Sequence, residues 1–327
     1  MIDRGKLGQW AFSGTYGGDS GNAIARFAKK VGRRMWRKSG SLPGVPTIWN
    51  SPVGAMVVTF NHDLPNTLAV HPLYSQNLPR LAEYVLTKYS DLTLIDVGAN
   101  IGDTARFLRA QLDIPILCVE GSQEYLPYLL ENTAGMSDVE IETSFLGEAA
   151  PAAGLELVSH KGTARLSAEA SAESPAEVSL RTLDDVLTSH PRFAGCKLLK
   201  TDTDGFDAKV LRGATKLLEG AKPLVFTEYD PIFLSEQGDS GLGMLSDLRS
   251  LGYAHALVYD AYGYLVMGLS LDDWELIEQL DEYVTPRVPL PYFDLALFHS
   301  EDADLFELCM KREKEFFRAS RRDGDLR

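Results

Sequence analysis

From residue 92 onward, short apolar runs alternate with segments in which apolar positions recur at helical spacing. This alternation is typical of a parallel α/β sheet, because each buried strand is followed by a helix that packs back against the sheet. The apolar runs predict seven strands, at residues 92–97, 115–120, 139–146, 197–201, 223–228, 254–258 and 292–299. The helical spacing predicts intervening helices at residues 104–112, 123–132, 207–218 and 242–251.

The remaining chain divides around this predicted main domain, which covers residues 91–300. Residues 47–90 predict a hairpin around a Ser-Pro-Val-Gly turn and then a helix, packed together on the core. Residues 301–327 predict a C-terminal helix, and residues 1–46 a basic arm and linker. The Ala-, Ser- and Glu-rich stretch at residues 159–179 predicts a short hairpin and a mobile loop.

The formal charge of −14 is unevenly distributed along the chain. Residues 1–38 hold nine Lys or Arg against two Asp, so this segment carries +7 and the other 289 residues carry −21. An acidic body disfavours DNA or RNA as a partner, because phosphate contacts require clustered Lys and Arg. The basic segment 22–38 predicts an amphipathic helix that packs on the body with its charges in solvent; the alternative is docking to a membrane surface or a partner.

The sequence predicts a cytoplasmic protein. It has no stretch of roughly 20 apolar residues that could cross a membrane, and residues 1–14 lack the apolar core of a signal peptide. Cys118, Cys196 and Cys309 are widely spaced, so we expect buried core residues and neither a disulfide framework nor a zinc site.

The strongest chemical signal is the turn that follows the first strand, Asp96-Val97-Gly98-Ala99-Asn100-Ile101-Gly102. Glycines here let the backbone approach a ligand at the carboxyl ends of the strands, where open α/β sheets bind ligands. A dinucleotide site reads G-x-G-x-x-G, and this turn lacks the central glycine that admits a pyrophosphate. The turn therefore favours S-adenosylmethionine, which has no phosphate, with Asp96 placed to receive the ammonium group of the cofactor directly or through water.

Two later strand ends complete the predicted cofactor site. The second strand ends at Glu120, about 18 residues beyond Gly102, where a carboxylate can accept hydrogen bonds from both ribose hydroxyls. The third strand is followed by Gly147 and Glu148, and Glu148 is the candidate acceptor for the adenine amino group.

The motifs resemble those of the FkbM-type methyltransferases over roughly residues 49–299. The similar segments are IDVGANIGDTARFL, CVEGSQEYLPYLLEN and LLKTDTDGFDAKVLRGATKLLEGAKPLVFTEYDP. The resemblance implies a Rossmann-like class I methyltransferase fold, with a seven-stranded, mostly parallel sheet, an antiparallel last strand and helices on both faces. It also implies S-adenosylmethionine-dependent O-methylation of a sugar, glycan or natural-product hydroxyl. Where the family reads Lys-Ile-Asp-Val-Glu-Gly, residues 200–205 read Lys-Thr-Asp-Thr-Asp-Gly, so Asp204 replaces a glutamate.

Methyl transfer to a hydroxyl requires alignment of the acceptor with the methyl group and a base for the hydroxyl proton. Asp202 and Asp204, in the loop after the fourth strand, should face the reactive end of the cofactor, and Asp202 is also a candidate cofactor-binding residue. Both are the first candidates for that base, and Glu228, at the end of the fifth strand, is the second. The alternative role for Asp202 and Asp204 is capping of the following helix. These three acids could also hold a divalent cation, but their spacing does not favour one, and we predict metal independence.

Two other functions compete with methyl transfer to a small-molecule or glycan acceptor. A nucleotide-dependent oxidoreductase is disfavoured by Asn100 and by the missing central glycine. A non-catalytic cofactor-binding module is disfavoured because Asp96 and Glu120 are both present beside an acid-rich loop.

Overall fold

The computed structural model describes residues 46–60, 62–148, 156–160, 163–167, 180–285 and 292–323. The predicted basic helix at residues 22–38 lies outside the described residues. The predicted short hairpin corresponds to an antiparallel pairing of residues 156–160 with residues 163–167, whereas the predicted loop that follows it, at residues 168–179, lies outside the described residues.

Strands and helices alternate along the described chain. The strands are β1 (Pro46–Ser51), β2 (Gly54–Thr59), β3 (Leu94–Val97), β4 (Ile116–Val119), β5 (Val139–Glu142), β6 (Phe145–Leu146), β7 (Glu156–His160), β8 (Thr163–Ser167), β9 (Leu180–Arg181), β10 (Leu198–Thr201), β11 (Leu224–Tyr229), β12 (Tyr253–Asp260), β13 (Leu265–Ser270) and β14 (Phe293–His299). The α-helices are α1 (Leu64–Val70), α2 (Asn77–Leu86), α3 (Asp103–Arg109), α4 (Leu126–Thr133), α5 (Leu183–Ser189), α6 (Asp207–Arg212), α7 (Thr215–Gly220), α8 (Pro231–Glu236), α9 (Gly241–Ser250), α10 (Trp274–Val284) and α11 (Ala303–Asp323). None of the described helices combines the length and the apolar composition needed to cross a membrane.

The central sheet has the strand order β13-β12-β14-β11-β10-β3-β4-β5. The strands from β5 to β11 are parallel, whereas β14 is antiparallel to both of its neighbours. This arrangement confirms the predicted fold class, including the antiparallel last strand. An eighth strand, β13, adds to one edge by pairing antiparallel with β12.

The strand order reverses direction between β3 and β10. The chain runs outward from β3 through β4 to β5 and then returns to place β10 on the other side of β3. Helices that follow β3 and β10 leave a crevice between them, and open α/β sheets bind ligands at this switch point. The topology therefore places a ligand site at the carboxyl ends of these two strands.

Both faces of the sheet are covered by apolar layers, because residues along each strand alternate between two cores. On one face, Leu94 and Phe226 pack with α2, α3 and α11. On the other face, Ile95 and Val225 pack with α5, α6, α7, α9 and α10. Cys118, Cys196 and Cys309 are buried, as expected, and each is a free cysteine.

The hairpin β1–β2 is attached to the sheet domain through a third apolar cluster. This cluster joins Trp49 and Val58 of the hairpin to Phe107 of α3 and Tyr128 of α4. The Asn132 side chain accepts a hydrogen bond from the Val57 backbone N–H at 2.7 Å and donates one to the Val57 carbonyl at 2.8 Å. One amide thus satisfies both backbone groups of a hairpin residue and fixes the position of the hairpin.

Two predicted elements are divided in the structure. The helix predicted over 207–218 is broken between α6 and α7 at Gly213, where a Cβ atom would lie 2.2 Å from the carbonyl oxygen of Gly147. The strand predicted over 139–146 is divided into β5, in the central sheet, and β6, which pairs with β9. In both cases the chain turns to contact a neighbouring segment, which the local apolar pattern does not record.

Candidate active site

A cavity of about 360 Å³ opens at the carboxyl ends of the central strands, at the switch point. Its size lies within the range typical of small-molecule sites. Predicted site residues from four separate segments line it together: Gly98, Asn100, Glu120, Asp202, Asp204 and Glu228.

The turn after β3 is shaped by residues in the left-handed region. Gly98 and Gly102 have φ angles of +80° and +81°. A Cβ on Gly98 would lie 1.9 Å from the backbone oxygen of Asp202, and one on Gly102 would lie 2.9 Å from a methyl carbon of Leu129. Gly102 and the buried Ala99 do not line the cavity. Both glycines therefore admit close approaches by protein groups, where the sequence analysis expected a ligand.

Glu120 stands at the end of β4 with its carboxylate held in place. One oxygen accepts a hydrogen bond from the Asn100 backbone N–H and the other from the Ser122 N–H, each at 2.7 Å. Burial raises the pKa of Glu120, and the two N–H groups partly oppose this shift. Each carboxylate oxygen keeps a second lone pair, so Glu120 can still accept hydrogen bonds from the hydroxyls of a ligand.

Asp96 lies beneath the cavity and is fully buried. Its carboxylate accepts a hydrogen bond at 2.9 Å from Nζ of Lys200, which lines the cavity and is 3.5 Å from the carboxylate of Asp202. Burial alone would lower the pKa of Lys200, but the charges of Asp96 and Asp202 outweigh it and raise that pKa. Asp96 is thus paired with Lys200 and does not line the cavity, and its expected contact with the cofactor ammonium, directly or through water, stays a prediction.

Gly147 and Glu148 lie outside the cavity lining. The carboxylate of Glu148 instead accepts a hydrogen bond from Arg212 Nε at 2.8 Å. The structure therefore does not bring Glu148 together with the other predicted cofactor residues. Phe145 and Leu146, just before it, do line the cavity and give this end an apolar wall.

The three candidate bases differ in environment. The Asp202 side chain is 53% exposed, and Asp204 has a φ angle of +49° in the loop after β10. Glu228 is 7% exposed, and its Oε2 atom has no hydrogen-bond partner. Burial, and then the charges of Asp202 and Asp204, raise the pKa of Glu228 well above its usual range.

The capping role considered for Asp202 and Asp204 is wrong. The N-cap residue of α6 is Phe206, and no side chain accepts a capping hydrogen bond there. Both aspartates line the cavity instead. Among the described residues, no group of three or more His, Cys, Asp or Glu is arranged to hold a metal ion.

The segment between the hairpin and α2 contributes lining residues that the sequence analysis missed. His62 accepts a hydrogen bond at Nδ1 from the Leu64 N–H, and burial lowers its pKa to about 4 although a hydrogen bond with Asn100 opposes the shift. The imidazole is therefore neutral at pH 7. Tyr74 lines the cavity from the same segment and is hydrogen-bonded to Tyr292.

Asp294, on β14, was also missed. Its carboxylate accepts a hydrogen bond at 3.1 Å from the side-chain amide of Asn77 at the start of α2. Burial raises the pKa of Asp294 to about 7, and the nearby charge of Asp202 adds to the shift. The only sequence signal was the acid near the start of a predicted strand, and it becomes informative once β14 is known to lie beside β11.

Part of the chain matches a known protein family. The Methyltransferase FkbM domain matches residues 96–254, a range that starts at Asp96 and includes Glu120, Asp202 and Glu228. No curated protein matches the chain.

Several solved structures show a distant likeness. The methyltransferase FkbM from Methylobacillus flagellatus KT is 16% identical over 50% of this chain and 39% of that protein, with a TM-score of 0.34. Precorrin-6y C5,15-methyltransferase from Geobacter metallireducens GS-15 is 13% identical over 64% of this chain and 80% of that protein, also with a TM-score of 0.34. The plantazolicin methyltransferase BpumL in complex with SAH is 10% identical over 73% and 88% of the two chains, at the same TM-score. The chain thus spans well under half the length of the first of these proteins.

The domain match confirms the family resemblance seen in the sequence and, with it, the prediction of S-adenosylmethionine as the cofactor. It also decides against the oxidoreductase alternative. Residues 96–254, nearly half of this chain, are thus similar to the Methyltransferase FkbM domain.

Proposed function

We propose that this methyltransferase transfers the methyl group of S-adenosylmethionine to a hydroxyl group of a sugar, glycan or natural-product acceptor. The observation that carries the proposal is the shared cavity: the anchored Glu120 lies at one end and the acids Asp202 and Glu228 lie at the other. A single crevice can therefore hold a cofactor beside an acceptor.

The residues present fit S-adenosylmethionine. Glu120 would accept hydrogen bonds from the ribose hydroxyls, and Phe145 and Leu146 offer an apolar wall for the adenine. The turn at Gly98 and Asn100 would hold the amino-acid moiety. The acidic lining favours a cationic ligand by electrostatic attraction. When bound, the cofactor supplies a methyl group activated by a sulfonium.

Asp202 is our first choice for the base that takes the acceptor proton. It directly follows β10, the strand beside β3, and its largely exposed carboxylate can reach a hydroxyl group in the cavity. Lys200 forms an ion pair with Asp202 from below and so limits the directions in which this carboxylate can point. Asp204 and Glu228 are the other candidates. Most of the acceleration would come from alignment of the acceptor oxygen, to which the base adds a factor of about 10²–10⁴.

The proposal also includes the cellular setting expected from the sequence. We propose a cytoplasmic enzyme with a small-molecule or glycan acceptor and without a nucleic-acid partner. The acidic balance of residues 39–327 supports this, because clustered Lys and Arg would be needed to bind phosphates.

The test is methyl transfer by Asp202→Asn and Asp204→Asn, measured with radiolabelled S-adenosylmethionine and a panel of hydroxylated acceptors. We expect Asp202→Asn to lose a factor of about 10²–10⁴ in kcat with unchanged binding of S-adenosylhomocysteine. Asp272→Asn is the matched control, because Asp272 is exposed and paired with Arg249 outside the cavity.

Full activity in both cavity variants would remove Asp202 and Asp204 as bases. If the wild-type protein bound S-adenosylhomocysteine but methylated no member of a broad panel, a non-catalytic cofactor-binding module would be favoured over the proposed enzyme.

A further inference from the structure

Three carboxylates form a row across adjacent strands at the acceptor end of the cavity. Glu228 of β11 is the direct cross-strand partner of Asp294 of β14. On the other side of β11 lies β10, where Thr201 pairs with Thr227 of β11. Asp202 and Glu228 are the next residues along these two parallel strands, so they occupy matching positions. Side chains at matching positions of neighbouring strands point to the same face, so Asp202, Glu228 and Asp294 face the cavity side by side.

This row has too little positive charge beside it. Among the described residues that line the cavity, Lys200 is the only side chain that is cationic at neutral pH. Lys200 is engaged by Asp96 and Asp202, at the near end of the row. Like charges on directly opposed strand positions destabilise a sheet, so Glu228 and Asp294 require either bound protons or a cationic partner.

One atom of the row points specifically to a missing partner. Glu228 lines the cavity and is only 7% exposed, and its buried Oε2 atom has no hydrogen-bond partner. An unpaired buried carboxylate oxygen is costly, and the cost is removed when a ligand donates a hydrogen bond to it. Burial raises the pKa of Glu228 well above its usual range, with no cation among the described groups that oppose the shift. Burial also raises the pKa of Asp294 to about 7, although a hydrogen bond from Asn77 and the charge of Lys200 oppose that shift.

Aromatic rings complete the surroundings of this pair. Tyr74, Phe226, Phe233 and Tyr292 all line the same cavity. Phe226 lies two residues before Glu228 on the same face of β11, and Tyr292 lies two residues before Asp294. Aromatic faces attract ammonium groups, and the attraction is stronger where water is excluded.

We propose that Glu228 and Asp294 form a subsite for a protonated amino group of the acceptor, so that the acceptor is a hydroxylated amine. This inference rests on the proposed function and narrows its substrate class. The hydroxyl group to be methylated would lie towards Asp202, and the ammonium group would lie between Glu228 and Asp294.

The ammonium group of the cofactor does not account for this site. The amino-acid moiety of the cofactor is assigned to the turn after β3, whereas β11 and β14 are two and three strands away. At a spacing of about 4.8 Å per strand, Asp294 lies roughly 14 Å across the sheet from β3. A divalent cation is disfavoured because the described residues hold no group of three acids or histidines in metal-binding geometry.

The test compares two probes of similar size, ethanolamine and ethylene glycol. Ethanolamine carries an ammonium group where ethylene glycol carries its second hydroxyl. Each is titrated by calorimetry into protein already saturated with S-adenosylhomocysteine, and saturation is measured first. We expect ethanolamine to bind about 10- to 100-fold more tightly, as for a charged hydrogen-bonded pair. In Asp294→Asn and in Glu228→Gln the two probes should bind almost equally, so that the ratio of their dissociation constants lies within about threefold of unity.

Glu148→Gln is the matched control, because Glu148 is paired with Arg212 outside the cavity; it should leave the ratio unchanged. Thermal unfolding of each variant shows whether it is folded. Equal binding of the two probes to the saturated wild-type protein, or a ratio retained in both folded variants, would overturn the subsite while leaving the proposed function intact. Failure to bind S-adenosylhomocysteine at all would instead contradict the proposed function.

Discussion

Replacing Lys200 by methionine is the most informative single perturbation of the site. Methionine keeps much of the apolar stem of lysine and removes its charge. In the native protein Nζ lies 2.9 Å from the carboxylate of Asp96, and the two side chains are 8% and 0% exposed. Removing one partner of a buried ion pair leaves an uncompensated charge and typically costs about 3–5 kcal/mol. At roughly 2 °C per kcal/mol for a chain of this size, Tm should fall by about 6–10 °C.

The loss should depend on pH in a defined direction. Without Lys200, the buried Asp96 is tolerated only in its neutral form, so its folded pKa lies above the unfolded value of about 4. The folded variant then holds a proton that the unfolded chain has released, and its stability falls as pH rises above about 4. We therefore expect the difference in the free energy of unfolding between Lys200→Met and wild type, measured with urea, to be smaller at pH 5 than at pH 8.

The double variant Asp96→Asn, Lys200→Met separates charge from packing. It leaves no buried charge at this position, so it should regain about half or more of the stability lost in Lys200→Met. A single variant within about 1 kcal/mol of wild type at pH 8 would refute the reasoning. The same reasoning would be refuted if the double variant lost as much free energy of unfolding as the two single variants lose together.

Two further predictions concern residues around the same crevice. Because burial raises the pKa of Asp294 from 3.8 to about 7, the folded protein keeps this proton while the unfolded chain has lost it, so Asp294 makes stability fall as pH rises from about 4 to 7. In Asp294→Asn the decrease in the free energy of unfolding between pH 4 and pH 8, measured with urea, should be smaller than in wild type by at most about 4 kcal/mol. An identical decrease in both proteins would contradict the raised pKa of Asp294. Gly98→Ala should cost at least about 2 kcal/mol, because its Cβ would meet the backbone of Asp202, whereas Gly135→Ala, at a similar φ of +78° in open space, should cost only about 1 kcal/mol. Equal costs for the two alanine variants would show that the close approach at Gly98 is not tight.

The parts of the site that lie within one strand and its turn were predictable from the sequence. Asp96, Gly98 and Glu120 are identified by an apolar run followed by a short turn or a lone acid, and such signals need no knowledge of the neighbouring strands. The inner parallel strands β3, β4, β10 and β11 were predictable for the same reason, since each is buried on both faces and reads as a largely apolar run.

The features that depend on strand order were not predictable. Asp294 is near Glu228 only because the last strand inserts between β11 and β12, and no local pattern encodes that pairing. The partnership of Lys200 with Asp96 follows from the register of β10 against β3. The position of Glu148 outside the cavity was not predictable either, because its partner Arg212 lies far along the chain.

The central claim is that Glu120 binds the ribose of the cofactor. The most direct test is calorimetric titration of S-adenosylhomocysteine into wild type, Glu120→Gln and Glu148→Gln, each first shown to be folded by its thermal unfolding curve. Both substitutions turn a strand-end carboxylate into an amide, but only Glu120 lines the cavity. The account predicts at least a tenfold loss of affinity in Glu120→Gln, the size expected from weakening charged hydrogen bonds, and none in Glu148→Gln. Unchanged affinity in a folded Glu120→Gln variant would contradict it.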